Sequence, residues 1–340
     1  MSATEGLPPI VPGRVSIVLT VLEDPRVART LESLLSQDRL PDEIWVDDGG
    51  GSSRVRDIVA AFRSRDPRVR YLLAPGNVAE SRNRALTAVQ GEFIAFLDAD
   101  EVAPPGWLRT LLTVFADPKV GFAGGPTPAE LGSLRRAGAR FYDGYLQRFY
   151  DVSVRAHPHS LPMGNSMWRA RLFRELGPLV TFGGRAVGGE DLEFALRAVD
   201  AGWKGVYLPE ARVDHDFSDV SLGWVLRKAS RYAEGGFAVW RRHKRTSETS
   251  GVRLAPFIVP PVLAVVGALL LIPNSTRLAA EIVLALSAIA FVALAAVLTL
   301  QGVRQDRRYP GLRFQAFEIL RRWATMWGAG RAWLGGRKRL

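Results

Sequence analysis

The chain has 340 residues, 47% of them hydrophobic, no cysteine and a formal net charge of +11, a length that favours a core domain with an appended element. Without cysteine, disulfides and thiolate metal sites are excluded, in agreement with a reducing compartment. Residues 301–340 hold ten Lys or Arg against Asp306 and Glu318, +8 of the total, and this excess beside apolar segments points to anionic lipid and away from nucleic acid.

Residues 1–13 contain no basic segment followed by an apolar run, so no secretory leader is expected there and they read as an extension. Candidate strands at 15–20, 43–47, 69–73, 93–97 and 120–123 then alternate with helix-like stretches at 26–36, 54–63, 79–88 and 107–115. That alternation predicts an α/β fold with a mostly parallel sheet covered on both faces. Ligands on such sheets sit at the carboxyl ends of the strands, so the residues after each strand are the candidates.

The first strand runs out into Glu23-Asp24, and the second ends in Asp47-Asp48 followed by Gly49-Gly50-Gly51. Glycines let a backbone approach a ligand closely, and a carboxylate there can accept from a base or ribose; the competing reading is a flexible turn capping a helix. Arg82, in Ser81-Arg82-Asn83-Arg84, has the fork to meet a phosphate at a helix start, with a surface salt bridge as an equal alternative. The strand at 93–97 ends in Asp98-Ala99-Asp100-Glu101. A divalent cation, Mg²⁺ or Mn²⁺, would relieve the repulsion of such a cluster and leave positions for phosphate and water; a solvated acidic turn is the alternative.

Further along, Gly188-Gly189 precede Glu190-Asp191 and a helical stretch at 192–199, while His215 follows a predicted strand near 206–208. A sugar hydroxyl is a poor nucleophile at neutral pH, and a placed carboxylate that takes its proton assists attack. Asp191 is the candidate for that work, although acids also stabilise any helix start. His215 reads as a competent metal ligand or as a surface histidine.

Several of these segments together resemble family 2 glycosyltransferases: Val15-Ser16-Ile17-Val18-Leu19, Pro41-Asp42-Glu43-Ile44-Trp45-Val46-Asp47-Asp48-Gly49, Ser81-Arg82-Asn83-Arg84-Ala85-Leu86, Gly91 through Asp100, Gly164-Asn165-Ser166-Met167-Trp168-Arg169 and Gly189-Glu190-Asp191-Leu192-Glu193. The similarity covers roughly residues 14–240. It implies a GT-A fold and inverting transfer from a nucleoside diphosphate sugar, UDP- or GDP-linked. By that resemblance Glu23 and Asp47 or Asp48 contact the nucleoside; Arg82 and Glu190 are further candidates for binding the nucleotide-sugar. Asp98 and Asp100 serve ribose and metal, His215 reaches the metal, and Asp191 is the general base. The run Gly49-Gly50-Gly51-Ser52 stands where the family has Gly-Ser-Thr-Asp, which leaves open whether Asp47 or Asp48 faces the base. A Gln-x-x-Arg-Trp motif is missing, so single transfers are expected rather than chain synthesis.

Two 19-residue runs without Asp, Glu, Lys or Arg, 254–272 and 282–300, are joined by a short link containing Arg277. Each has the length of a membrane span, although Pro256, Pro260 and Pro261 weaken the first. Basic residues flank the pair on both sides, which places both ends in the cytoplasm. The expected organisation is an extension (1–13), a catalytic domain (14–240, with a nucleotide half 14–125 and an acceptor half 126–240), a basic linker with a transmembrane hairpin (241–303) and a basic tail (304–340). In that tail Phe314, Phe317, Leu320, Trp323 and Trp327 recur at helical spacing, as in a helix lying in a membrane interface or packed on the protein itself. The expected acceptor is a lipid-linked sugar or glycan. A polyprenyl-phosphate acceptor is the second choice, and a non-catalytic scaffold the third.

Overall fold

The computed structural model describes residues 7–73, 75–182, 188–244, 262–264, 266, 277–305 and 312–336. The first half alternates as the sequence predicts: β1 (Val11–Val21), α1 (Val27–Leu35), β2 (Glu43–Asp48), α2 (Ser53–Arg65), β3 (Val69–Leu73), α3 (Val78–Leu86) and β4 (Gly91–Asp98). A two-residue strand β5 (Glu101–Val102), α4 (Trp107–Leu112) and β6 (Val120–Gly124) complete it. The second half consists of α5 (Ala137–Arg148), β7 (Ser166–Arg169), α6 (Ala170–Leu176), α7 (Glu190–Asp200), β8 (Lys204–Tyr207), β9 (Asp214–His215) and α8 (Leu222–His243). Helices α9 (Arg277–Gln305) and α10 (Leu312–Gly336) follow.

The main sheet has the order β3-β2-β1-β4-β7-β6-β8. Its pairings are parallel except that β7 runs antiparallel to both β4 and β6. The sheet is therefore mixed, and the reversed strand is the Gly164–Arg169 motif of the sequence, which carries no strand signal of its own. Side chains alternate across each strand, and both faces are covered. Val15, Ile17, Leu19 and Val21 of β1 pack with Leu31, Val59 and Trp107 on one side. Val18 joins Ala85, Phe96 and Phe194 on the other. A strand buried on both faces must be apolar almost throughout, which is why β1 and β4 read as continuous hydrophobic runs.

Register brings the strand ends level. Thr20 of β1 pairs with Asp47 on one side and Asp98 on the other. β5 pairs with β9 in a small second sheet, Glu101 opposite His215, so the acidic turn after β4 is tied to a residue more than a hundred positions away.

The expected transmembrane hairpin is not seen among the described residues. Among the described residues no helix is long and apolar enough to cross a membrane. The run 254–272 lies outside the described residues apart from 262–264 and 266, and 282–300 falls within α9. Ala280 and Ser287 of α9, one heptad apart, are buried, while Leu278, Ile282, Leu286, Ile289 and Val292 stay exposed. The tail helix is not free either, because α10 lies along α8. Phe314 packs tilted against Phe141 at 4.8 Å between ring centroids, and the Arg321 guanidinium sits 4.2 Å above the ring of Tyr145. Its aromatic stripe is thus divided: Phe314 is buried and Trp327 is 69% exposed.

Candidate active site

One cleft of about 830 Å³ opens at the carboxyl ends of β1 and β4. Asp98, Asp100 and Glu101 from the turn after β4, Arg82 from α3, Glu190 and Asp191 from α7 and His215 from β9 all line it. The group expected to serve the leaving diphosphate and the group expected to face the acceptor therefore share one cavity.

Arg82 lies at the centre. It is 5% exposed and reaches Asp98 Oδ1 with Nη2 and Glu190 Oε1 with Nη1, each at 3.2 Å. Its Nε donates to Thr20 Oγ1 at 3.4 Å. A buried guanidinium needs such partners, and Asp98 and Glu190 raise its pKa further against the opposing effect of burial. Arg82 is thus neither a surface salt bridge nor a free phosphate fork; it joins the turn after β4 to the start of α7.

Asp98 therefore faces Arg82, and its backbone N–H donates to Glu101 Oε2 at 3.0 Å. Gly164 has no side chain because a Cβ there would lie 2.8 Å from Asp98 Oδ2. Asp100 turns the other way. His215 Nε2 is 3.1 Å from Asp100 Oδ2, and Arg26 Nη2 is 3.5 Å from the same oxygen. Burial works against ionising Asp100, but His215 and then Arg26 hold its carboxyl down, to about 2. The imidazole gains correspondingly: although burial opposes its charge, Asp100 raises the His215 pKa. His215 Nδ1 lies 3.5 Å from Glu101 Oε1, within ion-pair reach but outside hydrogen-bond geometry, so that buried nitrogen has no hydrogen-bond partner. Burial pushes the Glu101 carboxyl up, with His215 acting in the opposite sense.

The trio Asp98, Asp100 and His215 is therefore brought to one cleft but not onto one point. Among the described residues no three His, Asp or Glu side chains converge as a metal cage, because Asp98 is claimed by the buried Arg82.

Asp191 sits in the first turn of α7. Gly189, at φ +96°, caps that helix and packs on Gly235 of α8; a Cβ there would lie 3.1 Å from the Gly235 carbonyl carbon. Asp191 Oδ1 accepts from Leu192 N–H at 2.8 Å. Burial raises its carboxyl pKa, and the Leu192 N–H and Arg82 restrain the rise. Burial, with Asp191 next to it, also raises that of Glu190. A carboxylate so raised is a better proton acceptor than a solvated one.

The nucleoside candidates stand differently. Asp48 is fully buried and already satisfied: Oδ1 accepts from the N–H groups of Gly50 and Gly51 at 2.9 Å, and Oδ2 from the Tyr71 hydroxyl at 2.8 Å. Asp47 is equally buried, with Oδ1 held by the Ser81 hydroxyl and Oδ2 lacking any partner. Burial pushes its carboxyl up to about 6. Of the two, Asp47 alone keeps an unused acceptor. Glu23 is exposed at the end of β1 with φ +54°. None of these three lines the cleft.

Sequence reasoning missed Arg26, whose guanidinium spans Asp24, Asp100, Asp216 and Asp219. It also missed the α8 wall, where Trp224, Lys228 and Tyr232 line the cleft with Tyr142 of α5. Their spacing of four residues, one helix face, was a signal available in the sequence.

Residues 16–177 match the model of the Glycosyl transferase family 2. The chain is similar to a pre-mycofactocin glycosyltransferase of Mycobacterium tuberculosis, 32% identical over 158 residues, covering 44% of this chain and 32% of that protein. It is also similar to the succinoglycan biosynthesis protein ExoM of Rhizobium meliloti, 26% identical over 224 residues, covering 64% of this chain and 72% of the relative. The chain thus spans about a third of the length of its mycobacterial relative. Among solved structures, the mannosyltransferase PcManGT from Pyrobaculum calidifontis, in complex with GDP-Man and Mn²⁺, superposes with a TM-score of 0.59 at 20% identity, over 94% of this chain and 90% of that one. The fold is accordingly GT-A-like, a mixed α/β architecture with a mostly parallel sheet.

Proposed function

Given the glycosyl transferase family 2 domain in residues 16–177, we propose that this chain transfers a sugar from a nucleoside diphosphate sugar to an acceptor hydroxyl, with inversion and one sugar at a time. The observation that carries the reading is the single cleft joining Asp98 and Asp100 to Asp191. In-line attack opposite a departing diphosphate needs one base on the acceptor side, and Asp191 is a raised carboxylate on that wall. The two relatives, a pre-mycofactocin glycosyltransferase and a succinoglycan biosynthesis protein, support the reaction class. The GDP-Man of the structural neighbour supports a UDP- or GDP-linked donor.

A divalent cation, Mg²⁺ or Mn²⁺, fits the residues present. Asp100 is held ionised and His215 adjoins it at 3.1 Å. Such ions take one or two protein ligands and fill the rest from phosphate and water, so the missing three-residue cage is no obstacle. Asp100 and His215 would hold the ion, with Asp98 placed by Arg82 to meet the ribose. When bound, the ion neutralises charge on the leaving diphosphate. Asp47, with its free Oδ2, is the better candidate for the base, and Glu23, exposed just beyond β1, is the second nucleoside candidate.

The proposed organisation keeps the catalytic domain at 14–240, followed by a membrane-associated part with its flanks in the cytoplasm and a lipid-linked sugar as acceptor. Support comes from the two uncharged runs, the basic tail and the exposed apolar side of α9 with Trp327, Trp333 and Leu334 of α10. Contiguous exposed apolar surface rimmed by charge marks a contact with lipid or protein.

The test is nucleoside diphosphate release from a panel of UDP- and GDP-sugars, with lipid extract as acceptor and with or without Mn²⁺. Acceptor-dependent release by the wild type, lost in Asp191→Asn, is expected. An Asp191→Asn enzyme at full rate would shift the reading to a polyprenyl-phosphate acceptor, whose nucleophile is already ionised.

A further inference from the structure

Lys228 projects from α8 into the cleft and is surrounded by rings. Its Nζ lies 4.6 Å from the ring centroid of Trp224, 5.0 Å from that of Tyr142 and 5.2 Å from that of Tyr232. Cation–π attraction and the phenol oxygens hold an ammonium in such a surround, and burial alone would lower its pKa. Tyr142 and Tyr232 outweigh that effect and raise it. Among the described residues no carboxylate stands within ion-pair distance of this ammonium, whereas Arg82 and Arg321, the other cleft cations considered above, face acids.

A cation half-removed from water and lacking a counter-charge is costly unless an anion completes it. Its surroundings are arranged for one. An ammonium has three N–H donors. The Tyr142 and Tyr232 phenols beside it carry O–H groups of their own, so the ammonium and the hydroxyls together offer donors to a ligand in the cleft. Tyr232 is 55% exposed toward the cavity while Tyr142 is buried at 6%, so one wall of the cage is fixed and the other is open to solvent. Lys228 also lies close enough to influence His215, which places it beside the residues that would hold the cation.

We propose that Lys228, with the hydroxyls of Tyr142 and Tyr232, is the receptor for phosphate oxygens in this cleft. The group bound is a phosphate or diphosphate, and the proposal rests on the transferase reading only for the molecule that carries it. That carrier is either the donor's diphosphate or the phosphate of a lipid acceptor. Lys228 meets it as a point charge, leaving the chelating role to the cation.

The test is calorimetric titration of the full chain with inorganic pyrophosphate. Lys228→Gln should bind it at least about tenfold more weakly than the wild type, and Lys228→Arg should recover most of the loss, since charge-assisted contacts carry such a site. Equal affinity in the wild type and Lys228→Gln, at unchanged melting temperature, overturns the proposal, and so does a wild type that does not bind pyrophosphate. If Lys228→Gln does not fold, reductive methylation of the wild type takes its place: pyrophosphate should protect Lys228 and leave Lys119 and Lys204 labelled, whereas equal labelling of Lys228 with and without it overturns the site. UDP, GDP and vesicles containing polyprenyl phosphate then separate the carriers. Weakened nucleotide binding in Lys228→Gln assigns the donor, and weakened vesicle binding alone assigns the acceptor. A wild type that binds pyrophosphate through Lys228 but releases no nucleoside diphosphate from any sugar donor breaks the transferase reading and leaves this site standing.

Discussion

Arg82 Nη1 meets Glu190 Oε1 at 3.2 Å across the floor of the cleft, 108 residues apart in the chain. That contact joins α3 to α7, whose first turn carries Asp191. The same guanidinium holds Asp98 at 3.2 Å, so a single buried cation fixes the acids of the turn after β4 relative to those at the start of α7.

Removing that cation should therefore cost both stability and function. Arg82→Met leaves Glu190 buried without its partner, and breaking such a pair costs about 3 kcal/mol, the lower end of the usual range because Asp98 is partly solvated. Burial already raises the Glu190 carboxyl pKa. Without Arg82 it rises further, so the penalty should grow from pH 5 to pH 8. Urea unfolding at the two pH values checks this; equal destabilisation at both would contradict it.

Asp191→Asn should spare nucleotide binding and lower kcat by about 10²- to 10⁴-fold, the usual contribution of a positioned base. Because burial raises the Asp191 pKa, wild-type kcat should fall as pH drops through a value above the ordinary carboxylate range. The acid limb should disappear in the variant. Steady-state rates from pH 5 to 9, beside nucleotide affinities from calorimetry, decide it.

Asp47 makes a prediction about stability alone. Its folded pKa of about 6 lies above the unfolded 3.8, so the folded state holds the proton more tightly between those values. Its contribution is present at acid pH and is lost as pH rises through 6, by about 3 kcal/mol at most. Asp47→Asn keeps an acceptor for Ser81 and removes the ionisation. It should be more stable than the wild type at pH 8 and no more stable at pH 4. Paired chemical denaturation curves test this, and a constant difference across the range would refute it.

Asp100→Asn and His215→Gln should each weaken Mn²⁺-supported binding of a nucleoside diphosphate by about 10- to 100-fold while leaving metal-free binding unchanged. Titrations with and without Mn²⁺ measure both. Asp100→Asn should also be less stable than the wild type at pH 7, by a difference that shrinks as pH falls from 3.8 toward 2. The wild-type carboxyl, held at about 2, contributes stability above its unfolded value that disappears as pH falls toward 2.

Much of the first half of the fold was legible in the sequence, and the reason is local. β3 was bounded as the apolar pattern predicts, and β1, β2 and β4 lie within a few residues of it. Strands buried on both faces leave continuous apolar runs, and the acids that follow them mark the edge where ligands meet the sheet. β7 was not legible, because a four-residue antiparallel strand is defined by its partners β4 and β6 and not by its own pattern. The four-residue spacing of Trp224, Lys228 and Tyr232 in α8 was legible, but their role was not, because any amphipathic helix shows such a face and only the packing of Tyr142 closes the cage.

The amino-acid sequence by itself determined the alternation of strands and helices, the line of acids at the strand ends and the basic tail, since each depends on residues near one another in the chain. Tertiary structure alone decided the partnerships: Asp98 with Arg82 and not with the proposed metal, Asp100 with His215, Asp47 rather than Asp48 keeping a free oxygen, and α10 against α8. Those choices depend on which charges are buried together, and burial arises only once segments distant in the chain have closed over one another.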